Sequence, residues 1–248
     1  MTKTTRRDYF RLVNDILGLV DKTELSITLL KNIRYGDEDY PLFMLKSYRK
    51  SVKNSAVITA GAHGDEAVGI KALMWALDKL DTDRWNFYVF PVLNPWGFSH
   101  FSRKTGDGKG INRRVGEREL PELNLVLKNI PTRFDLFIDI HSDVDKPDAY
   151  AYERRHPKSK SLAKMALQDV EDYFSIATNQ SVYEEPCKDG VVTSTDGEKT
   201  LEELMFNRGA DYSITVEIPG KEKEANQIRG GARLIMALLN NFDDAGER

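Results

Sequence analysis

The sequence predicts an α/β sandwich around a mainly parallel or mixed sheet. Short apolar runs of strand length alternate along the chain with longer segments in which apolar residues recur at helical spacing. Such alternation is typical of a sheet that packs against helices. With 248 residues, of which 40% are hydrophobic and 30% charged, the chain has the length and composition of one soluble globular domain, which we expect to span residues 1–248.

The N-terminal half is predicted to form two helices and four strands. The first helix is predicted because Val13, Ile16 and Val20 recur at helical spacing. The last strand is expected to stop where Pro95 interrupts it. In chain order, the predicted elements are a helix over 8–20, strands over 25–30 and 41–48 around a turn-rich segment, a buried strand over 55–62, a helix over 65–80 and a strand over 85–95.

The C-terminal half begins with a long segment, from Trp96 to about Arg118, that is rich in Gly, Arg and Lys and has little periodicity. A loop of this length inside one domain is uncommon and often functional. In chain order, the elements predicted after it are a short helix over 121–130, a strand over 134–141, helices over 160–174 and 200–209, a strand over 212–220 and a final helix over 225–242.

Charge and composition exclude several classes of protein. The formal net charge is -3 and no basic stripe is present, which argues against nucleic-acid binding. No run approaches about 18 apolar residues, and charged residues interrupt the apolar runs near the N-terminus, so neither a membrane span nor a secretory signal is predicted. The lone Cys187 excludes an intramolecular disulfide. We therefore expect a cytoplasmic protein; its oligomeric state cannot be read from the sequence.

Three apolar strands end on conspicuous polar residues, which are His63 with Glu66, His141, and Glu217. Open α/β sheets bind ligands at the carboxyl ends of their strands, so these distant residues could converge. Two imidazoles and a carboxylate form a three-ligand zinc site that leaves a fourth position for water, and a further carboxylate such as Glu217 could accept a proton from that water. Each residue alone also has an ordinary structural interpretation, but their coincidence at strand ends indicates a site.

The long loop adds cationic and amide side chains to these candidates. Arg103 lies nine residues before Asn112, and Arg113 follows directly. Arginine can bind a carboxylate through two parallel hydrogen bonds or stabilise an oxyanion, and Asn112 could support the same carboxylate. The other cationic residues of the loop are expected to be solvated.

Together these motifs resemble those of the zinc metallocarboxypeptidase family, the carboxypeptidase A-like enzymes. The shared order is H-x-x-E, N-P-x-G, an Arg with Asn-Arg nine residues on, a strand-terminal His, and a strand Glu followed by Pro. The resemblance runs from about Ile58 to Gly220. It implies an α/β/α sandwich on a twisted mixed sheet and a hydrolase that binds one Zn²⁺ per chain.

By this resemblance, the site residues have distinct roles. The zinc ligands would be His63, Glu66 and His141. Arg103 would polarise the scissile carbonyl, while Asn112 and Arg113 would bind the terminal carboxylate of the substrate. Glu217 would act as the general base and return its proton to the leaving amine.

The chain departs from the family pattern at two places. Gly110 stands where the family usually has an Asp that supports a zinc-bound His, and Asp139 is a candidate substitute. At the distance upstream of Glu217 where digestive members carry a tyrosine, this sequence has Thr195, with Tyr183 farther away, so no tyrosine is assigned.

Two groups of relatives imply two substrate classes. One comprises small bacterial carboxypeptidases and amidases that act on peptides; the other comprises succinylglutamate desuccinylases and aspartoacylases that act on N-acyl amino acids. The N-P-x-G turn and "VEIPG" favour the peptidase, and a non-catalytic zinc-binding relative is a third interpretation. The expected partner is thus a small peptide or N-acyl amino acid.

Overall fold

Ten strands and seven α-helices form the described part of the chain, which comprises residues 6–112, 120–178, 180–193 and 199–246 of a computed structural model. The helices are α1 (Tyr9–Val20), α2 (Ala67–Ala76, continued by a 3₁₀ turn over Leu77–Lys79), α3 (Pro95–His100), α4 (Pro121–Asn129), α5 (Leu162–Gln168), α6 (Leu201–Asn207) and α7 (Glu224–Ala245). The strands are β1 (Ser26–Tyr35), β2 (Glu38–Ser47), β3 (Asn54–Ala60), β4 (Trp85–Phe90), β5 (Leu136–Asp143), β6 (Tyr150–Arg155), β7 (Gln180–Val182), β8 (Glu185–Lys188), β9 (Val191–Thr193) and β10 (Tyr212–Pro219).

All ten strands belong to one mixed sheet in the order β1-β2-β4-β3-β5-β10-β6-β9-β8-β7. Its centre is parallel, because β3 pairs in parallel with β4 and β5, and β5 pairs in parallel with β10. Antiparallel pairs extend the sheet on both sides, with β2 on β4 and β6 on β10. The predicted mixed sheet is confirmed.

Helices cover both faces of the sheet, so the chain is the predicted α/β/α sandwich. In β5, the side chains of Ile138 and Ile140 pack into a core that also contains buried residues of α1, α2, α5 and α7. The alternate residue Phe137 packs on the other face with α4 and α6. Because side chains alternate along a strand, Asp139 and His141 point to this second face. The site described below therefore lies on the side of α4 and α6.

Four strands and one helix lie where the sequence did not predict them. Strands β7, β8 and β9 are three or four residues long, which is too short to show periodicity. In β6, the buried Glu153 and Arg154 make the strand look polar. Helix α3 lies inside the predicted loop; its six residues begin with Pro95 after Asn94, whose side chain accepts a hydrogen bond from the Gly97 N–H. Helix α5 ends at Gln168, six residues before the predicted end.

The central position of β10 predicts a large stability loss when its core residues are truncated. Ile214 is fully buried in β10. We expect Ile214→Ala to lower the free energy of unfolding by about 2–5 kcal/mol, measured by urea denaturation. The control is Leu29→Ala, because Leu29 on β1 is 52% exposed; its effect should stay within about 0.5 kcal/mol. Equal losses in the two variants would contradict this placement of the core.

Candidate metal centre

The candidate metal ligands converge at the carboxyl ends of neighbouring strands. His63 and Glu66 lie in the loop between β3 and α2, and His141 lies near the end of β5, which pairs with β3. Glu217 in β10 is the register partner of His141 in the adjacent parallel strand, so both side chains extend from the same face of the sheet. The convergence expected from the strand ends is therefore present.

Three side chains of this group could hold a metal ion. One ligand atom from each of His63, Glu66 and His141 lies within 4.8 Å of the other two. The His63 Nδ1 lies 2.8 Å from the Glu66 Oε1 and 3.0 Å from the His141 Nδ1. The His141 Nδ1 also lies 2.8 Å from the Glu66 Oε2. The Nδ1 atoms of both imidazoles and both carboxylate oxygens thus face one point.

Close backbone packing shapes the loop that carries His63 and Glu66. Gly64 lies directly against the backbone of α3, so a Cβ at this position would lie 1.9 Å from the carbonyl carbon of Gly97. The Gly64 N–H donates to the Ser102 carbonyl at 3.0 Å. Only a residue without a side chain allows this approach, which sets the loop against the segment that leads to Arg103.

A buried carboxylate orients His141 from behind. The Asp139 Oδ2 lies 2.9 Å from the His141 Nε2, and the Asp139 Oδ1 accepts a hydrogen bond from the Thr59 hydroxyl at 2.6 Å. Asp139 and His141 are both 0% exposed. This is the contact that the sequence suggested for Asp139, and it leaves the Nδ1 of His141 directed toward Glu66. At Gly110 a Cβ would meet open space, so a side chain there would have room.

The electrostatics of the cluster match a cation site. Burial opposes a charge on His141, but the carboxylates of Asp139 and Glu66 raise its pKa well above the usual range. Burial likewise opposes ionisation of Glu66, yet the two histidines hold its pKa far below the usual range. Burial lowers the pKa of His63, which keeps that imidazole neutral, the form that binds metals. The cluster therefore stabilises positive charge at its centre.

Arg103 lies beside this cluster. Its Nη1 donates to the Glu66 Oε1 at 2.9 Å, while more than half of its side chain remains exposed. The arginine thus reaches the ligand set from the solvent side.

Of the two residues predicted to bind a substrate carboxylate, Asn112 is within the described part of the chain and Arg113 is not. The Asn112 Oδ1 accepts a hydrogen bond from the backbone N–H of Leu201 at 3.1 Å, so its oxygen contacts the first turn of α6. Arg113 lies outside the described residues. Their role in carboxylate binding therefore stays a prediction.

Near Glu217 lie three residues that the sequence analysis did not assign to the site, Asp143, Tyr150 and Tyr183. Burial, Glu66 and Asp143 raise the pKa of Glu217, against the opposing effects of His141 and Arg103. The Asp143 Oδ2 accepts hydrogen bonds from the hydroxyls of Tyr150 at 2.7 Å and Tyr183 at 2.8 Å.

These tyrosines reach the site from two different strands. Tyr150 is the register partner of Glu217 in β6. Tyr183 lies at the tip of the β7–β8 hairpin, where it and Glu184 have positive φ angles, as a tight two-residue turn requires. The sequence signal for Asp143 was the polar end of "IDIHSD". Tyr183 had no comparable signal, because the strands of its hairpin have only three and four residues.

The donor set fits a divalent transition metal. Two neutral imidazole nitrogens and one carboxylate are the ligand types of catalytic zinc sites, which keep a further position open. A carboxylate on the far nitrogen of a ligating histidine is also usual in such sites, and Asp139 occupies that place here. Fold and site together define an α/β/α sandwich with a candidate His-Glu-His metal centre.

Similar solved structures include a candidate metallopeptidase, a metallo-carboxypeptidase and a succinylglutamate desuccinylase. A candidate metallopeptidase from Shewanella denitrificans is 22% identical, with a TM-score of 0.83 over 94% of this chain and 90% of that chain. A metallo-carboxypeptidase from Burkholderia cenocepacia is 18% identical, with a TM-score of 0.73 over 97% of this chain and 70% of that chain. A succinylglutamate desuccinylase from Silicibacter is 17% identical, with a TM-score of 0.63 over 90% of this chain and 68% of that chain.

Comparison by sequence gives no corresponding match. No protein-family model and no curated protein matches the chain. At these identities, the similar structures establish the shared fold. Among the described residues, no helix has both the length and the apolar character needed to span a bilayer.

The raised pKa of His141 predicts that metal binding releases protons. At pH 7 the imidazole of His141 should be protonated in the metal-free protein, and it must lose a proton before Nδ1 can bind a cation. We expect about one proton or more to be released per Zn²⁺ bound, and affinity to rise with pH. A pH indicator in weakly buffered protein measures the release. Zinc binding without proton release would contradict the charged state of the cluster.

Proposed function

We propose that this chain is a zinc-dependent hydrolase that cleaves a peptide or amide bond next to a free carboxylate, as a metallocarboxypeptidase does. The observation that carries the proposal is the convergence of the His63, Glu66 and His141 ligand atoms with Glu217 on the adjacent strand. The metallo-carboxypeptidase fold supports it.

The metal would supply Lewis-acid chemistry, lowering the pKa of the attacking water and polarising the carbonyl. His63, Glu66 and His141 would hold it, with His141 oriented by Asp139.

Glu217 would act as the general base of the reaction. Its carboxylate would accept the proton of the attacking water and later donate that proton to the nitrogen of the leaving amine. Its place beside His141 in the sheet register supports this role. Tyr150, the register partner of Glu217 in β6, donates its hydroxyl to the Asp143 carboxylate at 2.7 Å beside this base.

Arginine and amide side chains would recognise the substrate. Arg103, which reaches the ligand set from solvent, would donate hydrogen bonds to the carbonyl oxygen as negative charge develops there. Arg113 would bind the terminal carboxylate through its two parallel donors, and the Nδ2 of Asn112 would support it. The Asn112 oxygen is already bonded to the start of α6, which leaves the amide nitrogen as the donor for this purpose.

A second candidate is a deacylase of N-acyl amino acids. The similarity to a succinylglutamate desuccinylase structure supports it, because such a reaction also cleaves an amide near a carboxylate. A non-catalytic zinc-binding relative is less well supported, since a site that only binds metal does not require Glu217 beside the ligands.

Metal content and a base variant test the proposal directly. We expect about one zinc per chain in the purified protein, and loss of that zinc in His63→Ala or His141→Ala, because each variant removes one of three protein ligands. Glu217→Gln should retain the zinc and lower kcat by about 10²–10⁴-fold. Elemental analysis and steady-state kinetics measure these effects.

The matched control for the base variant is Glu171→Gln, at an exposed position. This substitution should leave kcat unchanged. Absence of zinc from the wild-type protein, even after zinc is offered, would reject the metal centre. Full activity of Glu217→Gln would remove Glu217 from the role of base.

A substrate panel separates the two candidate activities and tests the carboxylate clamp. Peptides with a free C-terminal carboxylate, the same peptides as C-terminal amides, and N-succinyl and N-acetyl amino acids form the panel. Cleavage of peptides favours the carboxypeptidase, and cleavage of the acyl amino acids alone favours the deacylase. Arg113→Ala should raise KM for free-carboxylate substrates by more than about tenfold, because a charged bidentate contact is lost. An equal change with the amides would reject the clamp.

A further inference from the structure

We infer that Arg7 is a positioning residue of the candidate metal centre, which ties the loop carrying His63 and Glu66 to the segment carrying Arg103. The inference rests on the proposed metal centre and adds a residue that lies far from it in sequence. Arg7 touches no candidate ligand side chain; it acts through the backbone between them.

The guanidinium of Arg7 binds two of the three peptide groups between the candidate ligands His63 and Glu66. Its Nη1 donates to the Gly64 carbonyl at 2.7 Å, and its Nη2 donates to the Asp65 carbonyl at 3.2 Å. Gly64 and Asp65 are the only residues between His63 and Glu66 in the sequence. Rotation of either peptide would change the angle between the two ligand side chains, and one planar donor group opposes both rotations.

The same side chain packs on the segment that leads to Arg103. The guanidinium carbon of Arg7 lies 4.1 Å from the ring centroid of Phe101 and 5.3 Å from that of Phe98. The backbone N–H of Arg7 donates to the Ser99 carbonyl at 3.0 Å. Phe101, with a φ of 54°, ends α3 in the left-handed region two residues before Arg103. Arg7 therefore contacts both parts of the site.

Neighbouring residues anchor Arg7 in this place. Asp8 caps α1 by accepting a hydrogen bond from the Arg11 N–H at 2.9 Å. Tyr9 is buried, and its hydroxyl donates to the Pro41 carbonyl at 2.6 Å. Arg7 is thus held directly before the capped N-terminus of a packed helix.

The chemistry of the contact requires arginine. Two separate carbonyls and two aromatic rings are contacted by one flat group, whereas the ammonium of a lysine is a compact charge that cannot reproduce that geometry. Arg6 is a natural comparison, because this neighbouring arginine forms an exposed ion pair with Glu38 instead.

The test compares Arg7→Met and Arg7→Lys with Arg6→Met in the full chain. Zinc affinity is measured by chelator competition, and hydrogen exchange of residues 63–66 and urea unfolding are measured in the metal-free protein. We expect Arg7→Met to weaken zinc binding by about ten- to a hundredfold, as loss of outer support for metal ligands does. Exchange at 63–66 should rise while the urea midpoint changes little. Arg7→Lys should give an intermediate effect and Arg6→Met none.

Two results would reject the role of Arg7, and a third would distinguish that role from the proposed function. Wild-type affinity and exchange in Arg7→Met would reject the role of Arg7. Faster exchange throughout the chain, with a large fall in the urea midpoint for both Arg7 variants, would make Arg7 a general stabilising residue and also reject it. If the wild-type protein binds no zinc while Arg7→Met still speeds exchange only at 63–66, the proposed function fails and the positioning of this loop by Arg7 stands.

Discussion

The hydrogen bond between Asp139 and His141 is the interaction on which the rest of the site depends. Both residues are completely buried, and a buried ionisable group is costly unless it is paired. The pairing follows from the strand itself, because residues two apart in β5 point to the same face. With Nε2 held by Asp139, Nδ1 of His141 can only face Glu66 and His63. The orientation of His141 is therefore built into the sheet.

The carboxylates near the His141 imidazole contribute to the raised pKa of Glu217. Glu66, Asp139 and Glu217 lie on the same side of the sheet as Asp143, with Arg103 as a partner of Glu66. Burial and these carboxylates raise the pKa of Glu217. A divalent cation among the candidate ligand atoms would offset that charge and lower the pKa of Glu217 again. Ionisation of the proposed base would then depend on whether the site holds a metal.

The sequence predicted the centre of the sheet better than the side that ends in β7. Strands β3, β5 and β10 are apolar runs whose polar ends predicted His63, Glu66, His141 and Glu217 as candidates. The first three lie together as a possible metal site, and Glu217 is paired in register with His141. Strands β6 to β9, at one side of the sheet, were missed. Three of them have only three or four residues, and they are defined by pairing with neighbouring strands, which no local pattern encodes. Arg7 and Tyr183 were missed for a related reason, since their contacts lie 57 and 40 residues away in sequence.

The separation of the ligands along the chain has a consequence for the abundance of the protein. His63 and His141 are 78 residues apart, so an ion held by both would join the β3–α2 loop to β5 only in the folded state. Ligands that bind only the native state add stability with their concentration, about 4 kcal/mol at a thousand times the dissociation constant. The fraction of unfolded chain, and with it exposure to proteases, would then follow the supply of free metal. Turnover of the chain would in that case rise when metal becomes scarce.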